Sequence, residues 1–179
     1  MPISNKIHGL ITRSSWIRKM FEEGLIYKKK YGPENVFDFT LGNPNVPPPP
    51  EFGNALMEVA AQTLPGKHGY MPNAGYPETR EAIAAYLTSK FNVSLTFDQI
   101  IMTCGAAGAL NVTMKTILDA GDEVIIPSPY FVEYEFYVDN AGGVTRLVPT
   151  KEDFSLDLEA IRSAFTEKTR AVLINTPNN

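Results

Sequence analysis

The sequence predicts an α/β fold with a mainly parallel sheet flanked by helices, and three observations predict it. From residue 100 onward, segments of strand character and segments of helical spacing take turns. Val124, Ile125 and Ile126 form an uninterrupted apolar run of the kind buried on both faces of a parallel sheet. The stretch 100–110, I-I-M-T-C-G-A-A-G-A-L, passes from strand character through a turn with Gly105 and Gly108 into a helical pattern. Alternation of this kind implies parallel strands joined by right-handed crossovers, with ligands expected outside the carboxyl ends of the strands.

Residues 1–11 read as a short mixed segment that cannot fold alone. From Ser14 the spacing is helical, with Trp16, Ile17, Met20, Phe21 and Leu25 on one face, a serine able to cap the start and Gly32-Pro33 to end it. Residues 36–39 read as a short strand delivering the chain to Leu41-Gly42-Asn43-Pro44-Asn45, where Gly42 serves either a turn or a close approach to a ligand. Pro47 to Pro50 must be extended and form the one obvious linker. A helix is predicted over 52–64, apolar at Leu56, Val59 and Ala60, and closed by Pro65-Gly66. Residues 67–77 form an irregular loop, and Pro77 opens a helix carrying Ile83, Tyr86, Leu87 and Phe91. Strands are then predicted over 100–103, 123–126, 144–148 and 171–174, with helices over 106–119, about 130–140 and 157–165 between them.

Composition narrows the function. The 179 residues are 44% hydrophobic and 20% charged, a globular composition with room for a sizeable core. The net charge of −4 and the lack of a basic cluster beyond Lys28-Lys29-Lys30 argue against nucleic acid, and the triplet suits a solvated helix end. Cys104 is the only cysteine, which points to a reducing, cytoplasmic setting, and it reads as a small buried residue at a strand end. The sequence shows neither an apolar run long enough to span a membrane nor a signal-peptide core.

Read together, the carboxyl ends of the strands bear Gly105-Ala106-Ala107, Pro127-Ser128-Pro129-Tyr130-Phe131 and Asn175-Thr176-Pro177-Asn178-Asn179. The first N–H groups of a helix lack intrahelical partners, the dipole adds partial positive charge, and small residues let a phosphate reach the backbone. An aromatic face at Phe131 or Tyr130 and an amide at the same edge complete what a flat, phosphorylated aromatic cofactor requires.

Five blocks in order, L-G-N-P-N (41–45), G-Y-M-P-N-A-G-Y-P-E-T-R-E-A-I (69–83), T-C-G-A-A-G-A-L (103–110), G-D-E-V-I-I-P-S-P-Y-F-V-E-Y (121–134) and N-T-P-N-N (175–179), resemble the amino-terminal half of a fold-type I pyridoxal phosphate enzyme, a class I/II aminotransferase of the aspartate aminotransferase-like subgroup. The resemblance implies that residues 1–46 are an N-terminal arm with part of the small domain and that 47–179 are the first part of the large, cofactor-binding domain. It implies pyridoxal 5'-phosphate as cofactor, with Gly105, Ala106 and Ala107 at its phosphate, Phe131 stacked on the ring and Asn179 donating to the phenolic oxygen. Gly42 would contact the substrate carboxylate. Tyr70 would reach the phosphate in a neighbouring subunit's site, making a homodimer with shared active sites. No metal is implied. Many relatives have a hydroxyl residue where this chain has Ala107 and tryptophan where it has Phe131, so one phosphate bond and some stacking surface are lost.

The implied reaction is transfer of an amino group from an amino acid, aspartate or similar, to a 2-oxo acid. The family's Schiff-base lysine lies beyond Asn179, so no catalytic residue is assigned within this chain, and Lys115, Lys151 and Lys168 read as surface residues. The sequence ends inside a family motif, which predicts a cut molecule with no turnover of its own. A β-lyase or an aminocyclopropane carboxylate synthase-like enzyme would share the scaffold and cofactor, and a non-catalytic aminotransferase-like ligand-binding domain would share the fold alone.

Overall fold

The computed structural model describes residues 2–39, 42 and 44–178, and leaves the side chains of residue 10 and of 12–18 aside. The chain forms two compact units, Met1–Lys67 and His68–Asn179. The boundary expected at 46/47 falls within the first of these.

In the first unit, helix α1 (Asn5–Tyr31) starts well before the Ser14 expected from spacing. Ser4 is the reason: its side chain accepts from the Ile7 N–H at 3.2 Å, satisfying one orphan donor of the first turn. The end is as expected, with Gly32 at φ 87° donating to the Lys28 carbonyl and Lys28, Lys29 and Lys30 in the last turn. Met20, Phe21 and Leu25, expected on an apolar face, are exposed, while Gly24 is buried against Asp38. Lys28 pairs with Asp38 at 2.7 Å and fixes the segment 36–39 on the helix. That segment is not a strand, since it has no ladder partner among the described residues. Helix α2 (Pro50–Ala61) takes Pro50 as its first residue and Pro49 as its N-cap, so only the earlier prolines are linker.

In the second unit, helix α3 (Pro77–Phe91) ends on Asn92 in the left-handed conformation. Next come α4 (Gly105–Ile117), β1 (Glu123–Ser128), α5 (Glu133–Asn140), β2 (Val144–Pro149), α6 (Leu158–Ser163) and β3 (Thr169–Val172). The three strands lie in the order β2-β1-β3, all parallel. An irregularity falls between Glu123 and Val124, which face Thr169 and Ala171, so Arg170 is an extra residue on β3.

Alternation along β1 decides the core. Val124 and Ile126 point to one face and pack with Met114 and Leu118 on or just after α4 and with Tyr134, Tyr137 and Val138 of α5. Ile125 points to the other and packs with Val148 of β2 and Ile161 of α6. Val124, Ile125 and Ile126 are at most 1% exposed, which is the both-faces burial that their apolar run implied.

The strand expected at 100–103 is the main departure. Ile101 is 63% and Met102 38% exposed, and the segment joins no sheet among the described residues. Its apolar run has strand propensity, but a strand is made by a partner ladder, and among the described residues this segment has one long-range backbone bond, from the Met102 N–H to the Ala74 carbonyl. Among the described residues no helix is long and apolar enough to cross a membrane.

Candidate functional site

At the start of α4 the backbone is shaped by Gly105 at φ 68°, a left-handed conformation that alanine would adopt at a cost of about 1 kcal/mol. A Cβ built there would meet nothing within 4 Å, so the space before the helix is open. The N-cap, Cys104, makes no side-chain capping bond, and it is exposed rather than buried as its sequence context suggested. Thr103 turns its hydroxyl to the Gly105 carbonyl at 3.0 Å, away from the first N–H groups of the helix. Ala106 and Ala107 are both exposed. Uncapped donors, open space and no side chain beyond a methyl group suit a phosphate.

Phe131 follows the carboxyl end of β1. Its carbonyl accepts from the Tyr134 N–H at 3.0 Å, and its ring meets the Tyr134 ring edge-on, centroids 5.5 Å apart at 83°. It packs half-buried on the core cluster that also receives Leu110 of α4. The helix that starts at Gly105 and the expected stacking residue therefore rest on one cluster.

A cavity of about 260 Å³ opens between the carboxyl ends of β1 and β3 and the loop after β2. Tyr130, Thr150, Phe154, Leu173, Asn175 and Asn178 are among its lining. Tyr130 donates to Glu135, and burial, reinforced by that carboxylate, pushes its phenol up to about 12. Thr150 bonds the Ser128 carbonyl through both its N–H, at 3.0 Å, and its hydroxyl, at 3.2 Å. Asn178 donates to the Pro129 carbonyl at 2.8 Å, tying the loop after β3 to the loop after β1.

None of Gly105, Ala106, Ala107 or Phe131 lines that cavity. Tyr70 is fully exposed on the loop before α3. Gly42, in the first unit, is exposed with open space around its α-carbon, and Asn179 lies outside the described residues. The sequence reading passed over Thr150, Phe154 and the Asn178 bond. The loop K-E-D-F-S carries no periodic or motif signal, and an amide that bonds a distant carbonyl has none either.

A family model for aminotransferase class I and II matches residues 34–179. The aspartate/prephenate aminotransferase of Thermus thermophilus is 42% identical over 142 residues, covering 78% of this chain and 36% of that protein. The aspartate aminotransferase of Thermotoga maritima is 36% identical over 149 residues, covering 82% of this chain and 38% of that protein. A crystal structure of an amino transferase from Eubacterium rectale superposes with a TM-score of 0.93 at 35% identity, over 100% of this chain and 46% of that one. The chain thus spans less than half the length of each of these relatives.

Proposed function

The chain belongs to the class I and II aminotransferases, and from that premise we propose that it is the amino-terminal, cofactor-binding part of an enzyme that moves an amino group from an amino acid, aspartate or similar, to a 2-oxo acid. The observation that carries the reading is the family match over residues 34–179, supported by an uncapped, glycine-opened helix start at Gly105. In this reading residues 1–46 are an arm with part of the small domain, 47–179 open the large domain, and the enzyme works in the cytoplasm.

The residues present fit pyridoxal phosphate. The Ala106 and Ala107 N–H groups would donate to its phosphate, helped by the positive end of α4. Gly105 keeps that approach open. Phe131, held edge-on by Tyr134, would lie against the ring and fix its plane. Asn179 would donate to the phenolic oxygen, and Gly42 would leave room for the substrate carboxylate. Tyr70 would donate to the phosphate in a neighbouring subunit's site, so the enzyme would be a homodimer that completes each site from both chains. When bound, the cofactor supplies an electron sink for the pair released as the substrate's α-proton leaves. The residues of this chain bind and orient; they do not move that proton. Lys115, Lys151 and Lys168 are all exposed, which supports reading them as surface residues. The 179 residues alone would therefore have no turnover.

The test is spectroscopic and chemical. The full-length protein should show the absorbance of bound pyridoxal phosphate, the band should change on adding an amino acid, and with 2-oxoglutarate the product should be glutamate. Pyruvate and ammonia released without an acceptor would assign the site to a β-lyase instead. No cofactor band would remove the reading altogether.

A further inference from the structure

The loop that carries Tyr70 and the segment that leads to Gly105 are joined at three points, none of them part of a sheet ladder. The Met102 N–H donates to the Ala74 carbonyl at 2.9 Å. Arg80, in the first turns of α3, donates through Nε to the Ile100 carbonyl at 2.7 Å. Gly75 is buried at φ 97°, and a Cβ there would lie 2.4 Å from Cγ and 2.8 Å from Cβ of Met102, so glycine suits both the backbone conformation and the seat of the Met102 side chain. Two further contacts stiffen the join. The Gly75 N–H closes a turn on the Pro72 carbonyl at 2.8 Å, and the Arg80 guanidinium lies 5.1 Å from the centroid of the Phe97 ring.

The bracket joins two stretches of chain. One is the run Ile100–Thr103, which passes directly into the phosphate-facing turn. The other is the loop back to Tyr70, whose side chain is wholly exposed and contributes nothing to packing. We propose that Arg80 is a positioning residue, which with Gly75 fixes the Tyr70 loop to the stem of the Gly105 turn. The part of the chain that reaches a neighbouring subunit's phosphate is then held rigidly to the part that binds its own. The inference rests on the cofactor reading above. It adds a residue that acts on the cofactor only through the placement of another.

The bond itself supports the role. A guanidinium donating to a neutral carbonyl is a charge-assisted hydrogen bond, and its loss typically weakens a dependent equilibrium about tenfold. Arg80 is partly buried, its Nε spent on Ile100 and its face on Phe97, so it is not a free surface cation.

The experiment is a double-mutant cycle in the full-length protein. Pyridoxal phosphate is titrated into the apo forms of wild type, Arg80→Gln, Tyr70→Phe and the double variant. Each single variant should bind about tenfold more weakly. The double variant should bind within about threefold of Tyr70→Phe, because a loop without the hydroxyl has nothing left to place. Losses that multiply to about a hundredfold would make Arg80 a general stabiliser and overturn the proposal, as would Arg80→Gln binding like wild type. Should Arg80→Gln not fold, Phe97→Leu replaces it, with a loss of about twofold to fivefold that vanishes in the Tyr70→Phe background; a loss that persists there overturns the proposal. Wild type binding no cofactor would sink the enzyme reading and this inference with it. Wild type binding normally with an inert Arg80 sinks the inference alone.

Discussion

At its amino end β1 starts from Asp122 and Glu123, both buried, and the flanking strands meet them with Arg170 and Arg146, each at 3.1 Å. Thr166 adds a hydroxyl to Glu123 at 2.6 Å, and the Asp119 N–H donates to Asp122 at 3.0 Å. At its carboxyl end the same strand runs through Ser128 into Pro129 and Tyr130, beside Asn175 and Asn178. One edge satisfies its charges within the chain; the other opens as a cavity lined by polar and aromatic side chains. Ion pairs answered internally hold strands together, whereas a cavity at the carboxyl ends of parallel strands is where a ligand is expected. The two edges should therefore respond to substitution in different measurements.

The largest effect is expected between them, in the strand itself. Ile125→Ala should cost about 3 kcal/mol in urea denaturation of the full-length protein, because Ile125 is fully buried and its neighbours cannot close the cavity. Next comes a substitution that separates the edges. Ala107→Asp places a carboxylate in the first turn of α4, where it should raise stability by about 0.5 kcal/mol yet weaken pyridoxal phosphate binding about a hundredfold. Parallel losses of stability and affinity would break the distinction drawn here. Phe131→Leu should be milder, about threefold to tenfold in cofactor affinity, with a change in the spectrum of the bound ring.

The smallest effect belongs to the amino edge and is read in acid. The Thr166 hydroxyl first, and then Arg146, hold the Glu123 carboxyl below its ordinary value of 4.5. A depressed carboxylate contributes stability that is fully present above its unfolded value and lost as the pH falls through the folded one. Glu123→Gln should accordingly flatten the stability curve below about pH 4.5 while leaving cofactor affinity at neutral pH unchanged, which acid denaturation and a titration together would check.

Much of the second unit was legible because its signals are local. The apolar run at Val124, the stop at Gly121 and the proline at 77 each act through burial or φ, and the elements fall within a few residues of expectation. What stayed hidden depends on partners. Ile100–Thr103 has the composition of a strand and no ladder, and segment 36–39 is held by Lys28 rather than by a sheet. The early start of α1 turns on one serine that spacing alone did not single out. At the site, Gly105 could be named from its turn, but the hydrogen bonds of the Thr150, Asn178 and Arg80 side chains go to backbone carbonyls, and any residue can offer a carbonyl.

The extra residue on β3 has a consequence for how the sequence can change length. Arg170 sits outside the regular pairing, between Thr169 facing Glu123 and Ala171 facing Val124. A deletion at 170 would restore an even ladder and remove the counter-charge of Asp122, while Ala171 and Val172 kept their partners. The loss would be absorbed at the charged edge, and the residues that follow the strand toward Asn175 would keep their place. A length change of this kind would fall at the charged edge, whereas one after Val172 would shift Asn175 and Asn178 directly.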